Sequence, residues 1–196
     1  MWWEVSTIVS EMGGAMHTDR LAVPPAQLGV AAEEAWFAIQ TRPRHEKKVA
    51  SDLEGKGVTV FLPLFTAVHQ WSDRKRRVQV PLFTNYVFVR LAEQKNARAA
   101  VLRTNGVLSF VGIRGSGICI PDEQIEAIQV ILREKVPFAP CPFVDVGQRV
   151  RIRGGSLDGI SGILVKINDD RSLVISVDSI QRSLAIRIAG YNVFPA

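Results

Sequence analysis

The sequence predicts an α+β protein in two parts: an antiparallel sheet flanked by helices over residues 35–134, then a small β-barrel over 143–196. Three observations lead there. The first part mixes strand-like runs with an amphipathic helical pattern at Ile125, Ile128, Ile131 and Leu132. Pro137-Phe138-Ala139-Pro140-Cys141-Pro142 then sets three prolines in six residues, which reads as a stiff linker over 135–142. Beyond it the apolar period falls to two, at Val146, Val150 and Ile152, Ile163 and Val165, Leu173, Ile175 and Val177, and Leu184, Ile186 and Ile188. Four or five short strands in so little chain are most economically closed as a barrel.

In order along the chain, residues 1–34 carry no sustained period and read as a disordered or loosely helical extension. Trp36-Phe37-Ala38-Ile39-Gln40 is a buried strand, punctuated by Thr41-Arg42-Pro43, with Pro43 placed at the first turn of a helix. Val49, Ala50 and Leu53 give helical spacing over 44–56, and Gly55 and Gly57 stop it. Extended chain resumes over 58–64. A hairpin follows, over 65–71 and 78–81, around the polar, basic Ser72-Asp73-Arg74-Lys75-Arg76-Arg77. Asn85-Tyr86-Val87-Phe88-Val89-Arg90-Leu91 is the clearest strand, and a short helix over 93–103 comes next. Asn105-Gly106 marks a tight turn before a strand over 107–111, and Pro121-Asp122-Glu123 opens the amphipathic helix.

Composition narrows the function. The chain is 196 residues long, 47% hydrophobic and 22% charged, with a formal net charge of +5, a balance compatible with polyanionic partners. Cys119 and Cys141 make neither a disulfide framework nor a thiolate zinc site, and read as buried or half-buried thiols in a reducing compartment. No run approaches the roughly 18 apolar residues of a membrane span, and the start lacks a basic leader, so a cytoplasmic protein without a membrane partner is expected. An enzyme has little support. His17, His45 and His69 lack metal-ligand spacing, no nucleophile motif is present, and Gly112-x-x-Gly115-x-Gly117 does not sit between a strand and a helix. The expectation is no catalytic residue, no metal and no cofactor.

Gly147-x-x-Val150-x-Ile152-x-x-Gly155-x-x-x-Gly159-x-x-Gly162-x-Leu164 resembles the KOW motif of SH3-like barrels. Val150 and Ile152 share a strand face, Gly155 and Gly159 bracket a loop that needs positive φ, and Gly162 lets the second strand pack closely. Trp36-Phe37-Ala38-Ile39, the charged helix after Arg44, Pro81-Leu82-Phe83-Thr84-Asn85-Tyr86-Val87-Phe88-Val89 and Asn105-Gly106-Val107-x-x-Phe110-Val111-Gly112 resemble the N-terminal domain of the NusG family in order and spacing. Thr84-Asn85 stands where housekeeping NusG proteins more usually have Pro-Gly before the tyrosine. Pro81-Leu82-Phe83-x-Asn85-Tyr86 and Trp71-x-Asp73-Arg74-Lys75 look like the specialised RfaH/UpxY paralogues.

The resemblance implies a monomeric transcription elongation or antitermination factor that bridges RNA polymerase, from the β′ clamp helices to the β gate loop. It implies that Leu82, Phe83, Tyr86 and Phe88, with Gln40 beside them, meet the clamp helices. The RfaH-type gate-loop tripeptide His-Thr-Thr aligns with Ala97-Arg98-Ala99, which leaves that contact open or moves it to Arg98 and its neighbours. Non-template DNA would meet Arg42 and His45 at the strand-to-helix turn and Arg103 and Asn105 in a second region. Arg44, Lys47, Lys48 and the Arg74-Lys75-Arg76-Arg77 run complete the basic surface. The barrel would recruit a ribosomal protein or a termination factor. An RNA- or ribosome-binding KOW protein outside transcription, and a general housekeeping NusG, are the competing readings. The β-branched Ile175, Val177, Ile186 and Ile188 favour a stable barrel over a helical form of the C-terminal part.

Overall fold

The computed structural model describes residues 34–70, 75–92, 95–141, 143, 147–167 and 170–196. The expected extension before Glu34, Arg74 and Val146 lie outside these residues, as does the Lys75 side chain. At the centre of the first sheet runs β1 (Glu34–Thr41), whose Trp36, Phe37, Ala38 and Ile39 are all buried. A continuous apolar run of this kind belongs to a strand covered on both faces. The sheet order is β2 (Thr59–Phe61), β5 (Tyr86–Ala92), β1, β6 (Val107–Phe110), with the short β7 (Cys119–Ile120) pairing the other end of β1. The observed pairs are antiparallel.

One face of this sheet buries Phe37, Ile39, Val87 and Val89 against Val49, Ala50 and Leu53 of α1 (Glu46–Glu54) and Val101 of α2 (Lys95–Leu102). The helical spacing expected over 44–56 is therefore present, with the first turn given over to the loop. Trp36, Ala38 and Phe88 face the other way, against Ile125 and Ile128 of α3 (Asp122–Arg133). The expected hairpin is the two-stranded ribbon β3 (Leu64–Gln70) and β4 (Lys75–Pro81).

The C-terminal part is a six-stranded antiparallel sheet in the order β13 (Asn192–Pro195), β9 (Gln148–Arg153), β10 (Ser161–Ile167), β11 (Asp170–Val177), β12 (Arg182–Arg187), β8 (Phe138–Cys141). Its strand β8 lies inside the stretch expected as a linker, and pairs with β12. Prolines disguised it. Proline cannot donate to a ladder, and Pro140 is tolerated because β8 is the sheet edge.

The helix α3 serves both parts. Ile125 and Ile128 enter the first core, while Ala127 and Ile131 enter a second core with Val150, Ile152, Leu173, Ile175, Ile186 and Ile188. The single apolar face expected for this helix is thus two faces, because a second sheet covers what would otherwise be its solvent side. Leu132 is only half-buried. Across the two sheets, Val177, Ile180 and Leu184 join the first core, and the Phe65 and Phe138 rings meet edge-on at 5.5 Å.

Close packing within the C-terminal sheet rests on Gly162. A Cβ there would lie 2.5 Å from the Val174 carbonyl oxygen and 2.9 Å from Leu173 Cγ. Backbone cannot retreat as a flexible side chain can, so Gly162→Ala is expected to cost about 2 kcal/mol or more, read as a lowered midpoint in urea denaturation. An unchanged midpoint would mean that β10 and β11 separate freely at this point.

Candidate functional site

The turn that leads into β5 is held from three sides. Asn85 adopts φ 68°, and its N–H donates to Glu46 Oε1 at 2.8 Å. Its carbonyl accepts from the Thr41 N–H at 2.8 Å, and the Leu82 N–H donates to the Pro63 carbonyl at 2.8 Å. Glu46 is only 3% exposed and stands in the first turn of α1, where the helix dipole favours a carboxylate. In sequence it looked like one more charge on an outer face. Glu46→Ala would strand the Asn85 N–H and is expected to lower stability by about 1.5–3 kcal/mol, measured by chemical denaturation. Glu46→Gln should recover part of it, because an amide oxygen still accepts.

That turn presents the residues implied to meet a partner. Gln40 is exposed and pairs across the strands with Tyr86. Leu82 and Tyr86 are half-buried. Phe83 and Phe88 differ from the expectation of a surface patch: Phe83 is 5% exposed and Phe88 fully buried. The Phe88 ring stacks on Phe61 at 6.0 Å and meets Phe83 edge-on at 6.0 Å. Two causes combine here. Phe88 points into the first sheet's own core, and Val177, Ile180 and Leu184 of the C-terminal part close over the cluster. A reciprocal polar pair sits beside it, with Gln124 Nε2 donating to Asp178 Oδ2 at 2.8 Å and the Asp178 N–H donating to Gln124 Oε1 at 3.2 Å. No sequence signal marked this pair, since its members are 54 residues apart.

The basic residues are gathered by the backbone. Arg42, Arg44, Lys47 and Lys48 are exposed, and His45 is half-buried with Nδ1–H donating to the Pro43 carbonyl at 3.0 Å. The Arg42 N–H donates to the Gly106 carbonyl at 2.8 Å. Gly106 packs so closely that a Cβ there would sit 2.9 Å from Val49 Cγ2 and 3.2 Å from His45 Cβ. Arg103 and Asn105, both exposed, are thereby brought beside the strand-to-helix turn. Lys47 Nζ donates to the Gln79 carbonyl at 2.7 Å, which ties the β3–β4 ribbon to α1. Arg76 and Arg77 are exposed on that ribbon and, as neighbours in a strand, point to opposite faces.

Arg98 is engaged within the chain. Its guanidinium lies 4.7 Å over the Phe37 ring and 5.7 Å from that of Phe110, and it donates to the Ser116 carbonyl. These contacts brace the segment between β6 and β7, so the side chain does not stand free for a gate-loop contact.

In the C-terminal motif, Gly147 precedes β9, Val150 and Ile152 are buried in the second core, and Gly155 and Gly159 have φ of 74° and 86°. Both cysteines are free thiols. Cys119 is exposed rather than buried, and burial pushes the Cys141 thiol pKa up. Among the described residues, no group of three His, Cys, Asp or Glu could hold a metal ion, and no helix is long and apolar enough to cross a membrane.

Residues 34–129 match the family model described as transcription termination factor nusG. That span runs from the first strand into α3 and contains the whole turn, its basic rim and Arg98. Two relatives are each called transcription termination/antitermination protein NusG. The one from Borreliella burgdorferi is 26% identical, over 79% of this chain and 94% of its own length. The one from Lactococcus lactis is 29% identical, over 81% of this chain and 91% of its own. The solved structure of Thermotoga maritima NusG, from a study of its domain interaction, aligns with a TM-score of 0.50 over 82% of this chain and 97% of that one, at 19% identity, a likeness of fold. With a matching segment that carries the site and relatives that span most of the chain, this protein is similar to the NusG transcription factors across both of its parts.

Proposed function

We propose that this chain binds RNA polymerase through the face around the 82–88 turn and reduces pausing or termination, in the manner of a specialised, operon-specific antiterminator. The observation that carries the reading is the turn itself. Two backbone hydrogen bonds and a buried carboxylate hold Leu82, Tyr86 and Gln40 as one edge beside a basic rim. Half-buried aromatic and aliphatic anchors of this kind suit a hot spot for the β′ clamp helices, and Arg42, Arg44, Lys48 and Arg103 suit the phosphates of an exposed non-template strand. Because Val177, Ile180 and Leu184 cover the apolar part of this face, binding requires the C-terminal part, read as a KOW-type barrel, to move aside. Once released, that part would be free to recruit a ribosomal protein or a termination factor.

A factor shifts the polymerase from a paused to an elongating state only by as much as it prefers the second. The test is therefore a pair of measurements on the full chain: capture of purified polymerase, and transcription through a pause site. Tyr86→Ala/Leu82→Ala should abolish capture and the pause effect together. A folded double variant that still binds polymerase would overturn the reading. Arg42→Ala/Arg44→Ala should leave salt-resistant capture in place while lowering the salt slope of single-stranded DNA binding by about 1.4.

A further inference from the structure

A groove of about 620 Å³ opens where α3 meets the C-terminal sheet, and its walls carry opposite charges. Glu123 and Glu126, about one helical turn apart and both exposed, line it from α3. Arg149 and Arg151, alternate residues of β9 and so on one face of it, line it from the sheet. The sheet order sets β10 between β9 and β11, and α3 packs against β11, so the width of β10 separates the arginines from the helix side. Ile160, Ile163 and Val174, none more than 5% exposed, give the groove an apolar floor. Among the described residues, no ion pair crosses it. Asp158 and Asp178 also line it but are used inside the chain. Asp158 Oδ1 accepts from the Gly154 N–H at 2.7 Å, and Asp178 is paired with Gln124. Arg151 donates from Nε to the Ser161 hydroxyl at 2.9 Å, which fixes the guanidinium and leaves its two terminal amino groups for another acceptor.

We propose that this groove binds a small zwitterion of short-peptide chemistry, with an ammonium group and a carboxylate on opposite sides of an apolar body, and that the bound molecule holds the closed arrangement. The volume lies in the range that accepts a small molecule. Glu123 and Glu126 repel a polyanion, and Arg149 and Arg151 repel a polycation. Only a ligand that separates its charges satisfies both walls. An extended peptide does so naturally, because neighbouring side chains leave its backbone on opposite sides. Adjacent basic and acidic residues therefore reach the helix wall and the sheet wall at once, with apolar neighbours on the floor. The two walls face one groove only while the C-terminal part lies on α3. A ligand that bridges them stabilises that arrangement by its differential affinity and no more. Resting on the polymerase reading given above, the same molecule acts as a brake on polymerase capture.

The test is calorimetric titration of the full chain with three end-blocked tetrapeptides: Leu-Lys-Glu-Leu, Leu-Lys-Lys-Leu and Leu-Glu-Glu-Leu. The mixed-charge peptide is expected to bind with a Kd below about 1 mM, and each like-charged peptide at least about fivefold more weakly. Arg149→Gln/Arg151→Gln, which keeps the side-chain stems, should weaken the mixed peptide by at least about fivefold. Glu123→Gln/Glu126→Gln should weaken it similarly and bind Leu-Glu-Glu-Leu more tightly than the natural chain does, a gain that a misfolded variant cannot give. Closure is read without polymerase. The mixed peptide should slow limited proteolysis between α3 and β8, and Ile180→Asp, which lies outside the groove, should weaken its binding. Slowed proteolysis with falling polymerase capture supports both halves. Slowed proteolysis with unchanged capture keeps the site and discards the polymerase reading. No binding of the mixed peptide up to about 5 mM, equal or tighter binding of a like-charged peptide, or binding that leaves proteolysis unchanged overturns the proposal.

Discussion

Phe88→Ala is expected to lower the stability of the chain by about 3–5 kcal/mol and to abolish polymerase capture only as a consequence. The ring is fully buried, stacked on Phe61 and edge-on to Phe83, between β5 and the C-terminal Val177, Ile180 and Leu184. Removing it empties a volume at the point where two sheets and α3 meet, and neighbours tied into strands can collapse into that space only in part. Against a total stability of roughly 5–15 kcal/mol, such a loss leaves a substantial unfolded fraction near physiological temperature. The check is urea denaturation followed by circular dichroism, beside Tyr86→Ala as the contrast. Tyr86 is half-buried at the rim, so its truncation should cost far less stability and far more binding. Equal losses of stability would mean that both rings are core, and that the binding face lies elsewhere.

The same contrast explains what could be read from the residues alone. Strands and helices were legible because periodicity and turn chemistry are local. The run from Trp36 to Ile39, the Val49, Ala50, Leu53 spacing and the strand from Tyr86 to Leu91 all lie where their patterns put them, while Asn85, expected as the first residue of that strand, belongs to the turn before it. What failed to show was always a partner supplied from far away. An alternating strand tells which residues share a face but not what covers it, so Phe88 read equally well as surface or core, and Phe83 in the turn before it leaned to the surface, until Ile180 and Leu184 arrive from the far end of the chain. Glu46 looked like solvent charge because its partner is a backbone N–H 39 residues on. Three prolines hid β8 because proline is excluded from central strands but not from edges. Arg98 looked available because the two rings beneath it, Phe37 and Phe110, come from different strands.

Ile180→Asp is the substitution expected to raise activity rather than lower it. Ile180 is 6% exposed and touches the first core, but it is absent from the second core that holds the C-terminal sheet together. A carboxylate there would be buried without a partner in the closed arrangement and solvated in an open one. The closed state should therefore lose about 3–5 kcal/mol, while the C-terminal sheet, built on Val150, Ile152, Leu173 and Ile186, keeps its own packing. A loss of 3 kcal/mol changes the closed-to-open ratio by roughly 150-fold. If the binding-competent state is the minor one, the apparent affinity for polymerase rises until the open form dominates and then stops, because no further population remains to be gained. Capture of purified polymerase by the full-length variant should rise accordingly, and limited proteolysis should cut faster between α3 and β8. Gln124→Ala should move both readouts in the same direction by less, since it removes one reciprocal hydrogen-bonded pair and leaves the apolar contact intact. Faster proteolysis with unchanged capture would separate opening from binding. The polymerase would then meet a surface that the C-terminal part never covers, and the exposed Gln40 edge with its basic rim would have to carry the affinity by itself.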